Sequence, residues 1–160
     1  MSLIASLMPP DSPGKYFVGR LRGGDVAAVG SQPQGAPPMA VWNTYIWVAS
    51  ADETASKVKD AGGRVVTDPF DVMDAGRMAV LADPEGAVCM VWQPNQQKGA
   101  GVVNEHGSVN FNGLNTRDVA GAKSFYGAVF GWTTLDLGGG VEMWTLPGYA
   151  DHLEATINPG

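Results

Sequence analysis

A chain of 160 residues, 44% of them hydrophobic, can bury one sizeable core, and this composition argues against an intrinsically disordered protein. The formal net charge of -6, with acidic and basic residues both scattered, argues against a nucleic-acid footprint and against a surface for anionic membranes. The expected partner is therefore a small neutral or mildly charged ligand.

Cysteine usage and hydropathy bear on the cellular location. Cys89 is the only cysteine, so no intrachain disulfide and no thiolate metal cluster can form, and nothing requires an oxidising compartment. The amino terminus lacks a charge before its short apolar run, and no stretch approaches the roughly 18 apolar residues of a membrane span. We therefore expect a cytoplasmic protein that binds neither membrane nor nucleic acid.

The first predicted element is a β-hairpin within residues 14–31. Its strands, KYFVGRLR and DVAAVGS, are joined at Gly23 and Gly24, which supply positive φ without steric cost. Residues 1–13 are expected to be a disordered tail or added sequence, and the proline- and glycine-rich residues 32–39 a linker.

Residues 41–95 predict the order strand, helix and three strands, a βαβββ unit. After a strand over 41–49, Ser50 caps a helix, with Glu53 three residues on as the second half of a capping box. The pair Gly62-Gly63 ends this helix. The three strands that follow are predicted over 64–69, 78–83 and 87–93.

Residues 108–160 predict the same order a second time. A strand over 108–116 leads to a helix over 118–130, which Asp118 caps. The predicted buried stripe of this helix consists of Val119, Ala122, Tyr126 and Val129. The strands that follow are predicted near 132–137, 141–146 and 152–157.

A repeated plan relates the two predicted units. Residues 41–64 and 109–132 both run from a short apolar strand through a polar step into a helix that ends in glycine. The opening hairpin also resembles the closing one, EMWTLPGYADHLEATINP, in its strand lengths and its glycine-bearing turn. We therefore expect the chain to begin with half of such a unit. An unpaired half-unit leaves a sheet edge that needs a partner. We therefore expect a homodimer, with exchanged strands as one arrangement, or a piece of a longer protein.

Two phrases carry a family resemblance. The helix phrase TRDVAGAKSFYGAVFGW and the turn phrase LADPEGAVCMVWQP, with the two βαβββ units, resemble the glyoxalase / bleomycin-resistance / dioxygenase family, also called the vicinal oxygen chelate superfamily. The resemblance covers nearly all of residues 14–160. It implies an α+β fold in which repeated βαβββ units form a curved, incompletely closed, mostly antiparallel sheet with helices outside. In enzymatic members, histidine or glutamate residues on the first and last strands of each unit bind a divalent metal.

The metal-ligand positions implied by the resemblance hold unsuitable residues. Asn43 and Phe111 occupy the first-strand positions, and Met90 occupies the last-strand position of the middle unit. A thioether suits soft metals rather than the oxygen-preferring ions of this chemistry. His152 and Glu154 share a face of the last predicted strand and are the remaining metal-ligand candidates, with a solvated surface as the alternative. We predict no cofactor, and a divalent metal held partly by another segment or chain is the alternative.

Strand parity groups the aromatic residues on shared faces. Asn43, Tyr45 and Trp47 share one face, as do Met90 and Trp92, and as do Phe111 and Asn115. Each set contains a position that, in the family that the chain resembles, points into the cup of the sheet. The predicted ligand-binding residues are Asn43, Tyr45, Trp47, Met90, Trp92, Phe111 and Asn115. An apolar lining with a few orienting amides is the usual composition of a small-molecule site. The alternative is that the aromatic rings only fill the core of the sheet.

Three functions are consistent with the sequence, because a fold does not determine a function. The first is a metal-independent member of the family that binds a small molecule. The second is a metal-dependent lyase, isomerase or dioxygenase of the same family, the only class of enzyme that the sequence indicates. The third is a non-catalytic portion of a longer protein with tandem units.

Overall fold

A computed structural model of the chain describes residues 2–4, 14–32, 34–36 and 38–148, with the backbone alone for 2–4. These residues fall into two units. The hairpin unit comprises described residues of Met1–Trp42 and Pro94–Gly113, and the sheet–helix unit those of Asn43–Gln93 and Leu114–Gly160. The predicted strand over 152–157 and the metal-ligand candidates His152 and Glu154 lie outside the described residues.

The hairpin unit contains a three-stranded antiparallel sheet. Its strands are β1 (Ser2–Ile4), β2 (Tyr16–Leu21) and β3 (Gly24–Gly30), in the order β1-β2-β3. The turn between β2 and β3 lies at Arg22 and Gly23, with φ of 50° and 85°, one residue earlier than predicted, because Gly24 pairs with Leu21 in the ladder. No strand was predicted where β1 lies.

Asp25 of β3 forms hydrogen bonds with the Pro94–Gly113 segment of this unit, at Gln97 and Gly101. Its Oδ1 accepts a hydrogen bond from Arg20 Nε at 2.6 Å, and its Oδ2 accepts one from Gln97 Nε2 at 3.0 Å. The bonds from Gln97 and Arg20 lower the pKa of Asp25. The backbone oxygen of Asp25 also accepts a hydrogen bond from Gly101 N at 2.8 Å. The segment that contains Gln97 and Gly101 is therefore held by the edge strand β3.

The sheet–helix unit contains a four-stranded sheet. Along the chain its elements are β4 (Tyr45–Trp47), α1 (Ala51–Asp60), β5 (Arg64–Val72), β6 (Gly76–Ala82) and β7 (Val88–Pro94). The strand order is β4-β7-β6-β5, with β4 parallel to β7 and β5 antiparallel to β6. The predicted strand over 41–49 is shorter than expected. This segment has the predicted βαβββ order of elements.

Helix α1 begins and ends where its sequence signals predict. The Ser50 hydroxyl accepts a hydrogen bond from the backbone N–H of Glu53 at 3.2 Å, as an N-cap does. The free N–H of Ala51 donates to Gln93 Oε1 on β7 at 3.0 Å, which ties the start of the helix to the sheet. Gly62 follows the helix with a φ of 84°, a conformation that glycine adopts without strain.

The remaining elements are α2 (Val119–Phe130), β8 (Thr133–Asp136) and β9 (Glu142–Thr145), the last two an antiparallel ribbon. Asp118 caps α2 as predicted, because its side chain accepts from Gly121 N at 2.8 Å. The predicted strand over 108–116 was wrong: this segment forms only an isolated bridge between Val103 and Val109. In the βαβββ unit over 41–95, the last strand, β7, pairs with the first, β4. In the second predicted unit the last strand is the one predicted over 152–157, which lies outside the described residues. The repeat of the βαβββ unit is therefore not confirmed.

The core lies between one face of the four-stranded sheet and the two described helices. Phe125 of α2 is buried, whereas Val119, predicted for the buried stripe, is 50% exposed because it starts the first turn, ahead of the contact with the core. The buried residues of this core are Val48, Ala51, Ala55, Val58, Ala79, Leu81, Val91, Ala122, Phe125, Tyr126 and Val129. The α+β class and the mostly antiparallel strands are confirmed, and the described sheets do not close into a barrel.

Neither α1, with 10 residues, nor α2, with 12, has the length and apolar character needed to cross a bilayer, and the same holds throughout the described part of the chain.

Candidate functional site

The four-stranded sheet has one face packed against the core and one face without such packing. Val91 of β7 and Leu81 of β6 are 0% and 1% exposed, and both belong to the core. Successive residues of a strand point to opposite faces. Met90 and Trp92, on either side of Val91, therefore lie on the face away from α1.

Four of the predicted site residues meet on this second face. In the parallel ladder of β4 and β7, Tyr45 is opposite Met90 and Trp47 is opposite Trp92. The Tyr45 and Trp92 rings meet edge to face, with centroids 6.4 Å apart and an interplanar angle of 84°. Tyr45 is 48% exposed and Trp47 64% exposed. We call this set of four residues, Tyr45, Trp47, Met90 and Trp92, the aromatic face.

A buried carboxylate organises the turn between β6 and β7. Asp83 Oδ1 accepts hydrogen bonds from Glu85 N at 3.0 Å and Ala87 N at 2.8 Å, and Asp83 Oδ2 accepts one from the Tyr126 hydroxyl of α2 at 3.2 Å. Gly86 closes the turn with a φ of 93°. The sequence predicts this turn but not its bond to Tyr126. The only sequence signal was an aspartate that begins the turn.

Cys89 lies close to Asp83, and its thiol is unreactive. Burial of the thiol, together with the negative charge of Asp83, raises the pKa of Cys89 to about 11. Because the thiolate is the nucleophilic form, a thiol with this pKa stays protonated and unreactive near neutral pH. Cys89 is therefore not a candidate nucleophile.

A second carboxylate of the same turn reaches the start of α2. Glu85 Oε2 accepts hydrogen bonds from the Thr116 hydroxyl and from the backbone N–H groups of Arg117 at 3.1 Å and Asp118 at 3.4 Å. An open cleft of about 400 Å³ lies beside it, lined by Asp83, Glu85, Gly86, Ala87, Asn115 and Arg117. The backbone N–H groups of Arg117 and Asp118 already donate to Glu85. The cleft therefore offers a ligand fewer free hydrogen-bond donors than an uncapped helix N-terminus would.

Replacing Glu85 by glutamine tests this contact through its pH dependence. The hydrogen bonds from Thr116 and then from the backbone lower the pKa of Glu85. A lowered pKa in the folded state contributes stability above the ordinary glutamate value of about 4.3, and this contribution is lost as the pH falls through the folded-state value. We therefore expect the Glu85→Gln variant to lose less of its free energy of unfolding than the parent protein does when the pH is lowered.

Urea unfolding between neutral pH and about pH 3 measures this effect. The control is Glu53→Gln, which changes an exposed glutamate of α1 whose side chain accepts no described hydrogen bond. If Glu85→Gln and the parent protein lose stability equally with acid, Glu85 does not stabilise the start of α2.

Comparison with known proteins shows what the chain resembles. It is 43% identical over 126 residues to CFP32 of Mycobacterium tuberculosis and of Mycobacterium bovis, a protein whose name marks it as a proposed glyoxylase. It is 40% identical over 109 residues to the anthracycline biosynthesis protein DauV of a Streptomyces species. The chain belongs to the glyoxalase / bleomycin-resistance / dioxygenase superfamily. The predicted resemblance is thereby confirmed, although no protein-family model matches the chain.

The matches cover unequal shares of the proteins compared. The match to CFP32 takes in 78% of this chain but 48% of CFP32, and the match to DauV takes in 68% of this chain and 39% of DauV. The chain therefore spans about half the length, or less, of these superfamily relatives.

The described residues do not fit the metal site of the superfamily's enzymes. Among them, no three histidine, cysteine, aspartate or glutamate residues cluster closely enough to hold a metal ion. Of the expected ligand positions, Asn43 is exposed ahead of β4, and Met90 lies in the aromatic face. An isolated thioether among aromatic rings is a poor donor for an oxygen-preferring cation.

The other predicted site residues, Asn43, Phe111 and Asn115, do not belong to the strands of the four-stranded sheet. Phe111 is 76% exposed and belongs to the hairpin unit. Asn115 lines the cleft beside Glu85 instead. The structure thus brings four of the seven predicted ligand-binding residues together. Strand parity predicted the shared faces of Tyr45 with Trp47 and of Met90 with Trp92, whereas the strand that would have paired Phe111 with Asn115 on one face, over 108–116, does not form.

Proposed function

We propose that this superfamily member binds a small molecule on the aromatic face without a metal ion. One observation carries the proposal. The two strands of the aromatic face bury Val91 in the core on one side and leave Tyr45 and Trp47 about half exposed or more on the other. Exposed patches of this kind on a folded domain commonly mark interaction sites. Large rigid rings also supply contact area with little loss of side-chain freedom.

The names of two relatives favour a class of ligand. DauV and DnrV of Streptomyces are anthracycline biosynthesis proteins, and anthracyclines contain fused planar rings. We propose a compound with a planar ring system as the ligand of this chain as well. Such a compound can stack on tryptophan, and stacking on one aromatic side chain is worth about 1–3 kcal/mol in nucleic-acid complexes.

Quenching of tryptophan fluorescence by 2-(hydroxymethyl)anthraquinone tests the proposal. At about -0.3 kcal/mol for each of its roughly 18 non-hydrogen atoms, the expected Kd is on the order of 0.1 mM. Replacing Trp47 by alanine should weaken binding about tenfold, since it removes one stacking surface. Addition of EDTA should leave binding unchanged.

The control variant is Trp42→Phe. Trp42 is 85% exposed and lies in the hairpin unit, so its loss removes an exposed tryptophan outside the aromatic face. This variant should bind as the parent protein does. Absence of saturable quenching across a panel of planar compounds would contradict the proposed function.

A metal-dependent lyase, isomerase or dioxygenase is the second candidate, favoured by the glyoxylase name of CFP32. In that case His152 and Glu154, with residues of another segment or chain, would be the metal ligands. Elemental analysis of protein purified without chelators distinguishes the two candidates. One divalent metal ion per chain, lost when both residues are replaced by alanine, would favour the enzyme over metal-independent binding.

The length of the relatives favours a third candidate, a non-catalytic portion of a protein with more such units. The extent of the complete reading frame tests it. For the chain by itself we propose a cytoplasmic location. We also propose a homodimer, because β5 is an edge strand among the described strands and a second copy could pair with its outer side. Light scattering that reports a monomer at high concentration would contradict the dimer.

A further inference from the structure

Trp92 occupies the space that a side chain at position 76 would need. A Cβ atom added to Gly76 on β6 would lie 2.6 Å from Cζ2 and 2.9 Å from Cε2 of Trp92, and 2.6 Å from the backbone oxygen of Gln93. Real Cβ atoms do not approach other heavy atoms this closely. The absence of a side chain at Gly76 therefore lets the indole of Trp92 lie against β6.

Tyr45 restrains the same indole from β4. Its ring meets that of Trp92 edge to face, a favoured geometry for aromatic pairs. Trp92 is thus held from both neighbouring strands of β7 and is half-buried. Trp47, its cross-strand neighbour, is 64% exposed and has no described ring contact. The indole of Trp92 is therefore restrained from two sides, whereas the described contacts include no such restraint on Trp47.

On β6 and β7, the strand positions that share a face with Trp92 carry apolar side chains. By strand parity these are Met78, Val80, Val88 and Met90. Partial desolvation of its ring raises the pKa of the Tyr45 hydroxyl, which therefore stays neutral. Arg77 lies on the opposite face, where it pairs with Asp52 of α1 at 2.7 Å.

On the described strands, the nearest charged residue that shares the face of Trp92 is far from Gly76. Arg64 of β5 pairs with Ala82. Position 82 is six residues along β6 from Gly76, or about 20 Å at the usual rise of an antiparallel strand.

We infer that Trp92 is the preformed stacking platform of the site, that Gly76 positions it, and that the site selects uncharged planar ring systems over anions. The inference rests on the proposed function and deepens it by naming the class of ligand and the residues that determine it. An anion stacked on Trp92 would lose part of its hydration, and the cationic side chain that the described strands place on this face, Arg64, lies about 20 Å along β6 from Gly76. A planar ring would meet an indole that needs no ordering, which lowers the entropic cost of binding.

Matched ligands test the selectivity. We would compare 2-(hydroxymethyl)anthraquinone with anthraquinone-2-sulfonate, which differs in charge, and with 1-adamantanemethanol, which is not planar. The neutral planar compound should bind at least about tenfold more tightly than either, since one stacked ring and one uncompensated charge each account for a factor of this size. Equal affinity of the sulfonate would overturn the inference about charge, and equal affinity of adamantanemethanol would overturn stacking.

Variants test the roles of the residues. Gly76→Ala and Trp92→Leu should each weaken binding of the neutral anthraquinone about tenfold. The control is Gly113→Ala, whose added Cβ would meet only Phe111 Cε1 at an ordinary 3.9 Å. Because Gly76→Ala also approaches a backbone oxygen and could fail to fold, Tyr45→Leu provides a second route, since it removes the restraint on Trp92 from the other side.

Fluorine NMR of protein labelled with 5-fluorotryptophan separates positioning from a general loss of stability. In Gly76→Ala or Tyr45→Leu the Trp92 resonance should move. The resonances of Trp132 and Trp144, whose rings contact Tyr126 of α2 instead, should stay. If the neutral anthraquinone binds the parent protein but every variant at positions 76, 45 and 92 binds it within twofold of the parent, the inference fails while the proposed function stands. If no compound binds the parent protein, the proposed function itself fails.

Discussion

Replacing Leu81 by alanine is expected to lower the free energy of unfolding by about 2–5 kcal/mol, the usual cost of removing a large buried aliphatic side chain. Leu81 is 1% exposed and lies on β6 in the core, with Val58 of α1 and Val91 of β7. It is paired with Val65 of β5 in the antiparallel ladder. The cavity left by alanine would lie between the sheet and the helices, where backbone elements on both sides prevent collapse.

Urea unfolding monitored by circular dichroism measures the effect, which should appear as a lower midpoint with an unchanged slope. The matched control is Leu135→Ala. Leu135 is 51% exposed on β8, so its truncation should change the stability by no more than about 0.5 kcal/mol. A cost below about 1 kcal/mol for Leu81→Ala would show that the core is not packed around β6 as described.

The second large effect is expected for Asp83→Ala, at about 2–4 kcal/mol. The substitution leaves two backbone N–H groups of the turn and the Tyr126 hydroxyl without their acceptor. Leaving buried donors unsatisfied costs about 1–3 kcal/mol for each group that water cannot reach. The Tyr126 hydroxyl is the most severely affected, because Tyr126 is 7% exposed and its ring stacks on Trp132 with centroids 5.8 Å apart.

A double-mutant cycle with Tyr126→Phe isolates the bond between α2 and the turn. Tyr126→Phe keeps the ring stack and removes one hydrogen bond, so it should cost about 1 kcal/mol. The two substitutions together should cost less than their sum by about 0.5–3 kcal/mol, the range for residues in direct contact. Additive costs would mean that the hydroxyl and the carboxylate do not interact.

These two experiments separate local from long-range stabilisation. The turn Asp83-Pro84-Glu85-Gly86 is predictable from its own residues, because proline and glycine have few alternatives at those positions. That its two carboxylates both reach α2 is not predictable. The residues that donate to them, from Thr116 to Tyr126, lie 31 to 43 positions further along the chain.

The sequence by itself determined the features that depend on neighbours a few residues apart. The caps at Ser50 and Asp118, the two helices, the parity of Tyr45 and Trp47 and the turn phrase all follow from short-range geometry. The turn and helix phrases also identified the superfamily. The strand over 108–116 failed because a strand needs a partner, and no local pattern says whether one is present.

Only the tertiary structure decided which predicted site residues meet. The parallel pairing of β4 with β7 aligns Trp47 with Trp92, and the neighbouring strand β6 places Gly76 under the indole of Trp92. Phe111 belongs to the other unit, despite sharing a family position with Asn43. The physical reason is that hydrogen bonding between strands distant in the chain sets the register, and a shift of one residue would turn these side chains to the opposite face.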